Sequence, residues 1–381
     1  MIDIRYVTKE LQVNLAATFV YTMTANKADL HTKKTTAKNA ASLSFAAKNI
    51  TKELLASLPD RARRVLNDRF GLITGGKGRT LEAIGKEYGI TRERIRQIES
   101  SGIASLRDSN VYAQNAKVLE ELKKAVTDLG GVLSEVTILA EIPKNEGERN
   151  HILFLLNVGH HFGDRREDAD FHRRWHVDQS LAQSVEDALL KLYESIEPMA
   201  LLPEDEFIAE FSKYLKESGV KNTDRETLMR WLGLSKRLGR NPLGEWGRTE
   251  SPHVRIKNTR DFAYLTLKRH GSPMHFTEVA KGIQDLFKKP AHPATTHNEL
   301  IKDGRFVLVG RGLYALKEWG YAPGVVREVI RNILTRDGAL TRDEIIERVK
   351  RERYVKDATI VVNLQHSEFK RDNEGKYVLA R

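Results

Sequence analysis

Arg92, Glu93, Arg94, Arg96 and Gln97 stand together in one short stretch of the chain. Four of them, Arg92, Glu93, Arg96 and Gln97, recur at i, i+1, i+4 and i+5, which on a helix places them on one face. An arginine on such a face can donate two hydrogen bonds to guanine O6 and N7, a glutamate can accept from cytosine N4, and a glutamine can pair with adenine. The chemistry these residue types offer is recognition of base edges in the major groove of a duplex. The same side chains also suit a solvated helix held by Glu and Arg pairs three or four residues apart, so the surroundings must decide.

Those surroundings read as two short helices and a tight turn. Leu81, Ile84 and Tyr88 fall at i, i+3 and i+7 and make one apolar face of a first helix. Gly89 supplies a left-handed residue to end it, and Thr91 is placed to cap a second helix in which Ile95 and Ile98 point inward. This is the order of a helix-turn-helix, whose second helix enters the groove while the first crosses the backbone.

The run Leu58-Pro-Asp-Arg-Ala-Arg-Arg-Val-Leu-Asn-Asp-Arg-Phe-Gly-Leu72 precedes Thr80-Leu-Glu-Ala-Ile-Gly85 and Ile90-Thr-Arg-Glu-Arg-Ile-Arg-Gln-Ile-Glu99. Together, across residues 51–107, they resemble region 4 of the bacterial sigma-70 family, the part that reads the −35 promoter element. The resemblance implies that Arg92, Glu93, Arg96 and Gln97 contact −35 bases. It also implies that Arg79, Thr80, Leu81 and Glu82 begin the helix whose N-terminal end meets phosphate, as the dipole of a helix favours. Arg94, beside the reading face, is a further candidate for phosphate. In the family this module also docks on the flap of the polymerase β subunit, so core RNA polymerase is an expected partner beside double-stranded DNA. A bacterial, cytoplasmic, nucleoid-associated protein is implied. A complete sigma factor also captures an unpaired −10 strand on aromatic platforms among basic residues. Residues 1–50 hold Tyr6, Phe19, Tyr21 and Phe45 as scattered aromatics, and 24–47 is a Lys-, Thr-, Ala- and Ser-rich stretch that reads as a flexible lead-in. A complete sigma factor is therefore not expected.

With 63 Lys+Arg against 52 Asp+Glu, the 381-residue chain has a formal charge of +11, and 40% of it is apolar. Such a length predicts several domains, and the basic balance predicts an anionic partner. By segment the net charge is +4 over 1–50, +4 over 51–110, −6 over 111–250, +6 over 251–321 and +3 over 322–381. Neutralising phosphates supplies most non-specific duplex affinity, so the two flanks suit DNA, and the acidic middle reads as a spacer or a protein-facing surface, or equally as charge scattered over solvated helices. The absence of cysteine excludes disulfides, thiolate metal sites and cysteine nucleophiles. No apolar run has the length of a membrane span, so a soluble protein without membrane contact or small-molecule substrate is expected.

Four segments with similar starts follow the helix-turn-helix, beginning Gly131-Val-Leu-Ser-Glu, Met199-Ala-Leu-Leu-Pro, Ser272-Pro-Met-His-Phe and Gly338-Ala-Leu-Thr-Arg, about 65 residues apart. Each follows a helical stretch. Three end in a predicted hairpin: 306–316 turned at Gly312, 369–379 turned at Gly375, and a longer version over 162–177. Helix, short strand, helix, helix and hairpin is the order of a winged helix. The third segment, with Pro293-Ala-Thr-Thr-His-Asn-Glu-Leu-Ile-Lys-Asp-Gly-Arg-Phe306 and Gly312-Leu-Tyr-Ala-Leu-Lys-Glu-Trp319, resembles the HARE-HTH domain. That winged helix is shared by the delta subunit of bacterial RNA polymerase and several chromatin and DNA-modification proteins. Within it His297, Lys302, Arg305 and Arg311 are candidates for a secondary DNA contact.

The expected architecture is mainly α: an N-terminal extension over 1–50, the helix-turn-helix over 51–110, and winged modules with small β-wings over 115–178, 182–256, 258–321 and 322–381. Other signals carry less. The loop 74–80 lacks the order of a phosphate-binding P-loop. His172 and His176 pair for a metal only if 171–177 is helical, whereas the segment aligns with a wing. No G-x-S-x-G elbow occurs, and the E-x-K triplets lack a supporting core strand. No enzyme, cofactor or metal is expected. The function read from the sequence is promoter recognition with RNA polymerase, modulating initiation. The rivals are a polymerase accessory protein that uses its modules for docking, and a non-catalytic specificity module of a restriction or modification system.

Overall fold

The computed structural model describes residues 43–221, 223–321, 325–353 and 355–380. The lead-in expected over 24–47 lies, up to residue 42, outside the described residues. The described residues divide into two compact units, one up to Glu250 and one from Ser251 onward.

The first unit opens with α1 (Ala47–Ala56), α2 (Asp60–Phe70), α3 (Leu81–Tyr88) and α4 (Arg92–Arg107). Pro59 precedes α2, Asp60 in its first turn holds Arg63 and Arg64, and Gly71 closes it in the left-handed conformation. Two short helices, α5 (Asn110–Gln114) and α6 (Ala116–Asp128), lead to strand β1 (Val132–Ser134). Then come α7 (Glu135–Glu141), α8 (Arg149–Val158), β2 (Gly163–Arg165) and β3 (Arg174–His176). The strands form an antiparallel sheet in the order β1-β3-β2, with Leu133 and Asp164 both opposite Trp175. The unit continues through α9 (Gln179–Ser195), α10 (Glu204–Glu217), α11 (Arg225–Leu232), β4 (Leu238–Arg240) and β5 (Trp246–Arg248). Here the strand that follows the first helix is reduced to one bridge, Leu202 to Trp246.

The second unit repeats the plan twice. Its first half runs α12 (Thr259–His270), β6 (Met274–His275), α13 (Phe276–Phe287), α14 (Pro293–Lys302), β7 (Phe306–Gly310) and β8 (Leu313–Leu316), in sheet order β6-β8-β7. Its second half runs α15 (Val326–Asp337), α16 (Arg342–Glu352), α17 (Asp357–Leu364), β9 (Phe369–Arg371) and β10 (Tyr377–Leu379), with Leu340 bridging Tyr377. In all four modules the residue after the first helix pairs with the last strand of the hairpin, which is what closes a winged helix. The fold is thus a helix-turn-helix followed by helical winged modules.

One feature departs from the expectations raised by the sequence. A wing also closes the second module, β4 against β5. Its three-residue strands, with Gly239 opposite Gly247, carry no alternation by which a sequence could announce them. The histidines His172 and His176 share no helical turn, since Arg174–His176 is a strand, and among the described residues no three metal-ligating side chains gather. Among those residues, too, no helix is long and apolar enough to cross a membrane.

The placement of α8 matters most for the site. In a winged helix bound to DNA, this third helix enters the groove. Here Ile152, Phe154, Leu155, Leu156 and Val158 are buried, in one apolar cluster with Leu54, Leu58, Leu66, Leu72 and Leu106 of the helix-turn-helix and its lead-in helix. Phe154 meets Phe70 edge to face, with ring centres 5.4 Å apart. The third helix of the second module is likewise occupied: Arg230 on α11 pairs with Glu141 at 3.0 Å, and Thr227 and Trp231 close on Gly130. Both modules of the acidic middle therefore use their third helices for contacts within the chain.

Candidate nucleic-acid interface

The candidate face begins where α4 is nucleated. Thr91 accepts the Arg94 amide at 3.2 Å and Thr80 accepts the Ala83 amide at 3.1 Å, so both helices of the pair carry side-chain N-caps. Between them Gly89 has φ 66, and a Cβ on Gly85 would sit 2.7 Å from the Ile90 carbonyl oxygen. Only glycine lets α3 approach the turn this closely. Beneath the face, Ile95 and Ile98 of α4 bury against Val65 of α2 and Ile84 of α3, with Leu81, Tyr88 and Ile90 around them. This packing fixes the rotation of α4 and turns Arg92, Glu93, Arg94, Arg96 and Gln97 to solvent, where all five are exposed.

Arg96 Nη2 lies 2.7 Å from Glu93 Oε1, and Arg94 Nη1 donates to Gln97 Oε1 at 3.0 Å. The Arg96 guanidinium holds the Glu93 carboxyl below its ordinary range. With side chains 56% and 58% exposed, this ion pair is screened by water and adds little to stability. A base edge that takes over its hydrogen bonds therefore displaces it at little cost. Pairing of this kind also fits a solvated helix; the rigid, buried support underneath is what suits the face to a groove.

The candidates near phosphate are less uniform. Arg79 is paired with Glu87 and lies 3.9 Å from Asp68, and Glu87 foremost holds its guanidinium charged. The same Asp68 accepts the Tyr88 hydroxyl at 3.1 Å, and burial pushes that phenol up. Thr80 commits its hydroxyl to the cap. Leu81 is half-buried in the core, so only its amide, not its side chain, faces the open end of α3. In the second unit, His297 stacks on Phe276 at 4.3 Å between ring centres, and Arg305 pairs with Asp261 at 2.8 Å and Asp303 at 2.7 Å. Arg305 is largely buried there, whereas Lys302 and Arg311 are exposed. Of the four residues proposed for a secondary contact, two face outward and two serve the fold.

Two positioning residues have no signal in the sequence. Asn150 at the start of α8 donates to the carbonyls of Gly71 at 3.0 Å and Gly76 at 2.7 Å, closing the loop between α2 and α3. Arg107 at the end of α4 donates to the carbonyls of Val158 and Asn157 at 2.8 and 2.9 Å, where the α8 C-terminus is rich in unpaired acceptors. Their partners lie far along the chain, and no local pattern announces them.

By fold and by exposed face, the N-terminal module is a helix-turn-helix of the nucleic-acid-reading class. Residues 54–108 match the family model described as Sigma-70, region 4. A 54-residue segment is 54% identical to RNA polymerase sigma factor RpoD of two Helicobacter pylori strains, 26695 and J99. In each case the match covers 14% of this chain and 8% of the sigma factor. The chain thus aligns with a small fraction of these relatives. No solved structure matches it.

Proposed function

We propose that the chain is a non-catalytic, sequence-specific DNA-binding protein of transcription, which reads a −35-like promoter element through Arg92, Glu93, Arg96 and Gln97. The observation that carries this reading is the exposed polar face of α4 on a buried helix-turn-helix core, within the segment that matches sigma region 4. Arg94, the guanidinium of Arg79 once released from Glu87, and the free amides at the start of α3, Leu81 included, take phosphates beside the element. Core RNA polymerase, through its β flap, is the protein partner, and the chain modulates initiation without acting as a complete sigma factor. Lys302 adds loose duplex affinity from the second unit.

The burial of α8 and the contacts of α11 favour a second reading for the first two winged modules: they form a protein-docking frame, not further readers. The two parts of the proposal separate in one experiment with the full-length protein, core polymerase and duplexes carrying a −35 element or its scramble. Arg96→Ala with Gln97→Ala abolishes the preference between duplexes while polymerase binding persists. If preference persists in that variant, the reading face is elsewhere; if polymerase binding is absent throughout, the partner is wrong.

A further inference from the structure

The second unit holds a groove of about 1260 Å³ between the hairpin of its first module and the helices of its last. Leu308 and Leu313 line it from the hairpin, and Val325, Val326 and Val355 from the other module. Two of these are open to solvent to a degree unusual for their type, Leu308 at 46% and Val325 at 56%. Arg311, Lys350, Arg353 and Lys356 also line the groove, and among the described residues no carboxylate does. Two acids close in sequence to the lining residues are engaged: Asp357 pairs with Lys350, and Glu328 accepts the Val325 amide at 3.0 Å. Arg311 and Lys356 have no ion-pair partner among the described residues and are exposed.

We propose that this groove docks an acidic amphipathic helix of a partner protein. An apolar floor between cations selects a ligand with an apolar stripe flanked by carboxylates, the helix-in-groove mode of recognition. A groove of this size admits the apolar face of a helix about 10 Å across. Duplex DNA fits poorly, because its phosphates would lie against leucine and valine and lose water without compensation. The proposal is independent of the reading face on α4, and it accounts for exposed aliphatic side chains that neither the fold nor DNA binding uses.

The test is fluorescence anisotropy with full-length protein and labelled peptides of about 16 residues, long enough for four turns. One peptide has a leucine stripe flanked by Glu, a second has Lys in place of every Glu, and a third is the Glu peptide with a central Pro. The Glu peptide is expected to bind, and the other two are not. Leu308→Asp and Val325→Asp, each at a half-exposed site, and the double change Arg311→Glu with Lys356→Glu should each weaken it about tenfold or more while the melting temperature holds. Equal binding of all peptides, no binding of the Glu peptide, or binding indifferent to these substitutions overturns the proposal. So does a result in which the Arg311→Glu, Lys356→Glu protein loses duplex affinity and retains the peptide, which makes the surface a nucleic-acid contact.

Discussion

Replacing Phe154 by Ala tests whether the helix-turn-helix depends on a helix that lies far beyond it in the chain. Phe154 is fully buried and meets Phe70 of α2 edge to face. Truncating a buried Phe to Ala costs about 3–5 kcal/mol, which includes an edge-to-face contribution of about 0.5–1.5 kcal/mol. At about 1.4 kcal/mol per decade, the loss is roughly a hundredfold to a few thousandfold in the equilibrium for opening. Because Leu66 of α2 and Leu106 of α4 share the apolar cluster of α8, native-state hydrogen exchange should show the Leu66 and Leu106 amides losing protection together with those of Ile152 and Leu155. Asn150→Ala, which removes two hydrogen bonds at a partly exposed loop, gives the same pattern with about 1–2 kcal/mol. If protection falls in α8 alone and α2 to α4 are unchanged, the helix-turn-helix is self-sufficient and the shared core is not what supports it.

Three further outcomes follow from the same structure. Gly85→Ala drives a Cβ into the Ile90 carbonyl, so the melting temperature of the first unit should drop and duplex binding weaken with it. Burial lowers the pKa of His151, His172 and His176, so the unfolded chain takes up protons near pH 6.5 that the folded chain refuses. Stability should therefore fall as pH drops from about 7 to about 5 and be flat with respect to these groups above that; urea midpoints against pH check it, and His151→Gln should flatten the slope. Arg94→Ala should weaken binding to every duplex alike and reduce the salt slope by about one, leaving sequence preference intact, as titrations at several salt concentrations would show.

The parts of the molecule legible in the sequence are those governed by local rules. Gly89 and Thr91 announce the turn between α3 and α4, and the spacing of Ile84, Ile95 and Ile98 announces which face turns inward, so the exposed side of α4 is legible in the order of residues alone. The hairpins at 306–316 and 369–379 show alternation and a turn residue. The wing at 238–248 does not, because its strands are three residues long and glycine-paired. Non-local capture hides the rest. Arg305 looks like a free cation beside a wing until Asp261, from a different helix, takes it. The run Ile152-Leu-Phe-Leu-Leu156 is apolar on every side of its helix, which signals burial from two directions but names no partner. That partner is the helix-turn-helix itself, and only the assembled unit reveals it.

The central claim is that four side chains on α4 read DNA, and selection of bound sequences from a random duplex pool tests it most directly. Full-length protein at about 0.15 M salt should recover one motif resembling a −35 element. The Arg96→Ala, Gln97→Ala variant should recover none, at a cost of about 1–3 kcal/mol for each lost base contact. Recovery of the same motif by the variant would contradict the account.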